Sequence, residues 1–253
     1  MRIDVVTIFP EMFAPVLGAS ILKRAQEGGR LTVMVHDLRD YSRDKHRKVD
    51  DRPYGGGPGM VMRPEPIFEA IDDVARACRG HAPRPAGTCE TILMSPQGEP
   101  FSNALAQELA RTSHLTLICG HYEGVDERVK ALVTRSVSIG DYVLTGGELP
   151  AMVVIDAVAR FVPGVIGHAQ ATEEESFAQG WLEYPQYTRP PVFRAMAVPE
   201  ILLSGDHEQI AQWRKTQSVV RTLAGRPDLI MSQHTTNGRQ QHGRATPEQK
   251  RGS

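Results

Sequence analysis

The chain has 253 residues, with 29 Lys and Arg against 30 Asp and Glu, so a net charge of −1 neither supports nor excludes a nucleic-acid partner. Forty per cent hydrophobic residues is ordinary globular composition, and the length suits one large domain or two smaller ones. Three scattered cysteines (Cys78, Cys89, Cys119), with no CxxC pair, exclude a zinc ribbon or a disulfide framework and point to a reducing compartment. Met1-Arg2 leads straight into a strand-like run with no signal peptide, and no apolar stretch approaches membrane-spanning length. A soluble, cytoplasmic protein is expected.

Ile3–Phe9 is short, β-branched and almost continuously apolar, as in a strand buried on both faces. Pro10 ends it, Glu11–Gln26 reads as a helix, and Leu31–His36 as a second strand. Asp37–Arg63 is polar: seven Arg and Lys against five Asp, then the glycine-rich Pro53–Gly59. Its basic content, with Tyr41 and Tyr54, suits phosphate and base contacts; a solvated face whose charges cancel is the equal alternative. Glu65–Arg79 is the clearest helix, with Ile67, Phe68, Ile71, Val74, Ala75 and Cys78 in one stripe. His81–Gly87 reads as a loop and Ile92–Met94 as a strand. Ser102 caps a helix carrying Leu105 and Leu109. Leu115–Cys119 follows as a strand, Val125–Arg135 as a helix, Val137–Ile139 as the last strand and Ala151–Phe161 as a helix. This alternation predicts α/β architecture with a mostly parallel sheet.

After Phe161 the pattern breaks. Residues 162–180 read as a linker containing Glu173-Glu174-Glu175, and 181–230 as a small helical domain. Asp206 and Gln209 form a capping-box-like pair there. Trp181, Tyr184 and Tyr187 read as that domain's core, with base stacking as the other reading. Residues 231–253 read as a disordered polar tail, in which four basic residues against Glu248 leave +3.

The run Ser138–Pro150 (SIGDYVLTGGELP) is dense in glycine, which lowers the side-chain wall and lets backbone groups approach a ligand. Ser95–Gly98 and Gly120–Gly124 are further glycine-bearing loops, each after a strand-like run. Together they suggest one pocket at the C-terminal edge of the sheet. GGGPGM lacks the ending of a P-loop, and no strand precedes a GxGxxG, so a dinucleotide or class I methyltransferase site is not expected. Cys119 reads as core rather than as half of a thiol–imidazole pair with His121. The histidines have no metal-ligand spacing, and no metal site is assigned. The glutamate run reads as a solvated linker, unless docking buries one member and makes it a general base.

In order along the chain, IFPEMF (8–13), HRKVDDRPYGGGPGM (46–60), SPQG (95–98), GHYEGVDERV (120–129), SIGDYVLTGGELPAM (138–152), RFVPGVIGH (160–168), ESFAQG (175–180) and YTRP (187–190) occur. The chain resembles the bacterial tRNA (guanine-N1)-methyltransferases of the SPOUT, or trefoil-knot, superfamily over roughly residues 1–230. That resemblance implies a deep trefoil knot closing residues 1–161 around S-adenosylmethionine, and an obligate homodimer with the site at the subunit interface. It implies methyl transfer to N1 of guanine 37 of tRNA. Carried over, the cofactor pocket comprises Pro96, Gly98, Gly120, Tyr122, Glu123, Ser138, Ile139, Gly140, Asp141, Tyr142, Val143, Leu144, Gly146, Gly147 and Pro150. Arg160 matches the family's cation. The family's general base is an aspartate just before Ser-Phe, where this chain carries Glu175. Arg47, Asp50, Arg52, Tyr54, Arg189 and Arg214 are the RNA-binding candidates. The segment before Ser138, where relatives often carry acidic residues, is Thr134-Arg135-Ser136-Val137 here. A silent RNA-binding protein on the same scaffold, or an enzyme for another RNA, are the alternative readings.

Overall fold

A computed structural model describes residues 1–79, 89–167 and 171–230. The expected loop at 81–87 and the polar tail at 231–253 lie outside the described residues, as does His168. The chain divides into two compact units, Met1–Ala169 and one beginning at Gln170.

The first unit is built on strands β1 (Arg2–Thr7) and β2 (Thr32–Asp37), the short pair β3 (Asp50–Asp51) and β4 (Val61–Met62), then β5 (Cys89–Pro100), β6 (His114–Cys119) and β7 (Arg135–Ser138). Five of them form a sheet in the order β2-β1-β6-β5-β7, every pairing parallel. Because β6 inserts between β1 and β5, the strand order reverses there, which opens a crevice at the strands' carboxyl ends.

Helices α1 (Ala14–Leu17), α2 (Ser20–Glu27), α3 (Pro64–Arg79), α4 (Asn103–Leu109) and α5 (Glu148–Ala159) cover the sheet. The expected single helix over 11–26 is broken. Pro15 and Gly18 bound the short α1, a Cβ at Gly18 would lie 2.9 Å from the Ala14 carbonyl oxygen, and Ser20 takes a positive φ of 49°. The expected α-helix over 125–135 is instead a 3₁₀ segment, Glu127–Leu132. Val125 bridges to Met62, and the Asp126 N–H donates to the Met62 carbonyl at 2.9 Å, so the chain is extended where a first helical turn was expected. Ser102 caps α4 as anticipated, accepting from the Leu105 N–H at 3.2 Å.

Side-chain alternation divides the core. Ile3, Val5, Leu115, Leu117 and Cys119 face one cluster with α2, α4 and α5, while Val6, Leu93 and Ile118 face another with α3. On the second face the alternation places Asp4, fully buried, in a run that reads as apolar. Its carboxylate accepts from the Arg2 guanidinium at 2.6 and 2.8 Å, and lies 2.7 Å from Nε2 of both His36 and His114. Burial pushes the Asp4 carboxyl up, but hydrogen bonds from His114, His36 and Arg2, with the Arg2 charge, outweigh it and hold the group well below the usual carboxylate range.

In the second unit α6 (Ala171–Glu174) is a single turn, a two-stranded hairpin pairs β8 (Val192–Phe193) with β9 (Met196–Ala197), and α7 spans His207–Gly225. Asp206 caps α7, accepting from the Gln209 N–H at 3.0 Å and from its side-chain amide at 2.7 Å. Buried Thr222 accepts from the Leu182 N–H at 2.9 Å and so ties the segment before the hairpin to the helix. Among the described residues no helix is long and apolar enough to cross a membrane.

A depressed folded-state pKa contributes stability above the unfolded value, near 3.9, and loses it as pH falls below. Asp4→Asn should therefore lower unfolding stability at pH 7 by about 3 kcal/mol. In acid titrations of melting temperature, the mutant's deficit should shrink below about pH 4.

Candidate active site

A cleft of about 350 Å³ opens at the carboxyl ends of β5, β6 and β7. Its walls are the three glycine-bearing loops, and each is shaped by a different backbone device. In β5 the register on β7 jumps, Met94 and Glu99 both pairing with Val137, so residues 95–98 bulge from the ladder. Gly98 ends the bulge against β7: a Cβ there would sit 2.4 Å from the Val137 nitrogen. The second loop turns at Tyr122 (φ 59°) and Gly124 (φ 121°), closed by the Gly124 N–H donating to the His121 carbonyl at 3.0 Å. In the third, the Gly140 N–H donates to Ser138 Oγ at 3.3 Å, and the Tyr142 ring folds back over Gly140.

The second and third loops are stitched together. Gly147 N–H donates to the Gly120 carbonyl at 2.7 Å, and His121 bridges to Gly146. A Cβ on Gly147 would stand 2.8 Å from Cys119 Cα and 2.9 Å from the Gly120 nitrogen, so only glycine fits. Cys119 is fully buried, and burial with the nearby Glu148 charge pushes its thiol up, in keeping with a core role.

The cleft gathers most of the expected pocket: Pro96, Gly120, Tyr122, Glu123, Ser138, Ile139, Gly140, Tyr142, Val143, Leu144, Gly146, Gly147 and Pro150 line it. Gly98 and Asp141 do not; Gly98 shapes the wall from behind, and Asp141 is exposed. Pro150 lies inside the first turn of α5 rather than after a loop. Sequence reasoning passed over Glu148, 2% exposed at the start of α5, whose Oε1 accepts from Thr7 Oγ1 at 2.8 Å. The legible signal was an acidic residue directly after a glycine pair and before an apolar helix, a position the helix dipole favours.

The cleft is joined to the basic loop. The Glu123 N–H donates to the Met60 carbonyl at 3.0 Å, and the Glu123 side chain lies over Gly59, where a Cβ would meet it at 2.3 Å. Arg47 pairs with Asp37 and Asp40 within that loop, and Arg43 and Arg63 pair with Glu69 and Glu65 of α3, so part of the positive charge is already neutralised. Arg52 and Tyr54 are exposed, Tyr54 completely, while Asp50 is half-buried in β3. Ahead of Ser138, Arg135 bridges Glu90, Glu99 and Glu108 at 3.4, 3.4 and 2.7 Å, a local charge network within this unit.

Arg160 caps the C-terminal end of α5 and is half-buried. Glu175 belongs to the second unit, half-buried where its carbonyl accepts from the Ala178 N–H at 3.2 Å. The turn it opens takes a positive φ at Phe177, whose ring lies 5.8 Å from the Arg226 guanidinium. A second cleft, of about 500 Å³, lies wholly within this unit and is lined by Tyr184, Tyr187, Arg189, Leu203 and Arg214 among others. Arg214 stacks 4.7 Å above the Tyr184 ring, its buried Nε without a hydrogen-bond partner among the described residues. Trp181 and Tyr184 are only half-buried, and Tyr187 stands 49% exposed.

The profile of the family described as tRNA (Guanine-1)-methyltransferase TrmD matches residues 1–232. A tRNA (guanine-N(1)-)-methyltransferase of Moorella thermoacetica is 62% identical over 231 residues, covering 91% of this chain and 90% of that protein. Proteins of the same description from Dictyoglomus turgidum and Halalkalibacterium halodurans are 55% and 52% identical, covering 91% and 95% of this chain and 90% and 96% of theirs. With the match spanning both units, the chain belongs to the tRNA (guanine-1)-methyltransferase family.

Proposed function

We propose that the chain transfers the methyl group of S-adenosylmethionine to N1 of guanine 37 in tRNA, in the cytoplasm and as a homodimer. The observation that carries this reading is one cleft made by three glycine-bearing loops, closed by main-chain approaches at Gly98 and Gly147 that leave no room for a Cβ, in a family named for guanine-N1 methylation. The cleft fits the donor. Its size is that of a small-molecule site, and Met94, Val137, Ile139 and Leu144 offer apolar walls beside the backbone edge of residues 138–147. The packing of Gly147 onto the end of β6 supports a chain that passes back through its own loops, as the trefoil knot of this family requires.

When bound, S-adenosylmethionine supplies a methyl group activated by its sulfonium. Guanine N1 carries a proton and is a poor nucleophile, so the protein has to accept that proton and stabilise the charge that develops on O6. In this account Glu175 takes the proton from N1 and Arg160 faces O6. Glutamate has a similar intrinsic pKa to aspartate and reaches one methylene further. The target base leaves its stack to be reached. Exposed Arg52 and Tyr54 on the first unit, and Arg189 and Arg214 on the second, contribute phosphate and stacking contacts to the anticodon stem. Arg47, already paired with Asp37 and Asp40, would serve to shape the basic loop.

The dimer reading rests on exposed apolar surface beside the cleft. Val143 is 83% exposed, and Leu149 and Val153, one turn apart on α5, are about half exposed. Leu149→Glu should convert a dimer to monomers in sedimentation velocity and abolish transfer; unchanged sedimentation removes α5 from the interface.

Labelled methyl should reach a tRNA transcript with guanine at position 37 and not one with adenine there. Label in neither, with S-adenosylmethionine still bound, would favour another RNA or a silent scaffold. Glu175→Gln should slow single-turnover transfer by about 10²–10⁴-fold. A wild-type rate in that variant would mean that another group takes the proton.

A further inference from the structure

We propose that His121 is a positioning residue of the cleft, acting as a cation through the buried carboxylate of Glu148 to hold the Gly120–Gly124 loop against the first turn of α5. The proposal rests on the reading of the cleft as the methyl-donor site.

The pair stands out because a buried carboxylate with one hydrogen bond faces a buried ring nitrogen that has none among the described residues. Glu148 is 2% exposed, and only its Oε1 has a hydrogen bond among the described residues, from Thr7 Oγ1 at 2.8 Å. Oε2 lies 3.7 Å from His121 Nδ1, a buried atom without a hydrogen-bond partner among the described residues. That separation is too long for a hydrogen bond and correct for an ion pair. The start of a 12-residue helix favours the ionised carboxylate, and a buried charge calls for a counter-charge. His121 is the group placed to provide it.

The glycine at position 146 makes room for this pair. A Cβ at Gly146 would come within 2.4 Å of His121 Nδ1 and 2.3 Å of Glu148 Oε2, so the third loop crosses the pair without a side chain. The other side of the imidazole is fixed by two edge-on rings, Phe9 at 5.0 Å and Tyr122 at 4.9 Å. Tyr122 lines the cleft from a left-handed backbone conformation, φ 59°, that a non-glycine residue keeps only when its neighbours enforce it. The imidazole is one of those neighbours. Its position therefore passes from Glu148 to the wall that a ligand would touch.

Histidine is the side chain whose charge changes between pH 5 and 8. The titratable groups facing it are Glu148 from α5, Tyr122 on its own loop and the Cys119 thiol behind, which burial and the Glu148 charge keep neutral. Thr7, Phe9, Met62 and Gly146 complete the surroundings without charge. A cationic His121 tightens the loop, so ligand affinity is highest at low pH and declines as the imidazole loses its proton. By linkage, binding draws a proton onto the protein.

Calorimetric titration of S-adenosylmethionine into the full chain between pH 5.5 and 8.5 tests this. Wild-type affinity should fall about tenfold from pH 6 to 8 relative to His121→Asn, which keeps a neutral donor in place of Nδ1 and loses the cation. Glu148→Gln should flatten the profile in the same way. An equal slope in wild type and His121→Asn overturns the proposal. Hydrogen exchange at the Gly124 amide, bonded to the His121 carbonyl, provides a readout without ligand. After correction for intrinsic rates, its protection should drop from pH 6 to 8 in wild type and stay constant in both variants; a pH-independent wild-type value overturns the pairing. Absence of S-adenosylmethionine binding at every pH would defeat the cofactor reading alone, because the exchange result judges the pair separately.

Discussion

Two backbone crossings with no room for a Cβ set the shape of everything that follows. Gly98 lies on the backbone of β7, and Gly147 on the junction of β6 with its loop. A methyl group at either point would push apart segments far apart in sequence, and the displaced atoms would be main chain, which cannot swing aside as a side chain can. The crossings bring the ends of β5, β6 and β7 into one concave wall. They also present that wall as peptide edge rather than side chain, which suits a ligand held by N–H and C=O groups.

The sheet then carries buried charge on both faces, handled in opposite ways. On one face Asp4 is surrounded by Arg2, His36 and His114, all at hydrogen-bonding distance, so the cluster is satisfied and behaves as a fixed structural element. On the other, Glu148 has one hydrogen bond and a histidine standing off at 3.7 Å. A fully bonded cluster rigidifies a core, whereas a half-bonded one beside a cleft leaves a small displacement available to a ligand or a proton. The location of each matches that difference: Asp4 lies within the interior strand β1, and Glu148 starts the helix whose Pro150 lines the cleft.

Much of this was legible in the residues. Strands β1, β2, β5 and β6 announce themselves as short apolar runs, since a parallel sheet covered on both faces needs no alternation, and α3 by its single stripe, whereas β7 (Arg135–Ser138) begins two polar residues before the strand expected at Val137–Ile139. The convergence of three glycine loops followed from their shared position after strands. What escaped was long-range in origin. Helical spacing at Val125, Val129 and Leu132 could not reveal that β4 claims the preceding residues for a bridge. Asp4 is hidden inside an apolar run because its two histidine partners lie 32 and 110 residues away. Glu148 and His121 belong to different loops, and nothing local marks them as a pair. Gly98 was assigned to the pocket by resemblance, but its close approach is to β7 rather than to the open space of the cleft.

The central claim, that the backbone of these loops is what binds the methyl donor, is most directly tested by following main-chain amide resonances while S-adenosylmethionine is titrated into the full chain. The account predicts shifts concentrated at Gly120, at Ile139–Leu144 and at Gly146 and Gly147, with the outer strand β2 unaffected. Saturable binding whose shifts avoid these amides would contradict it.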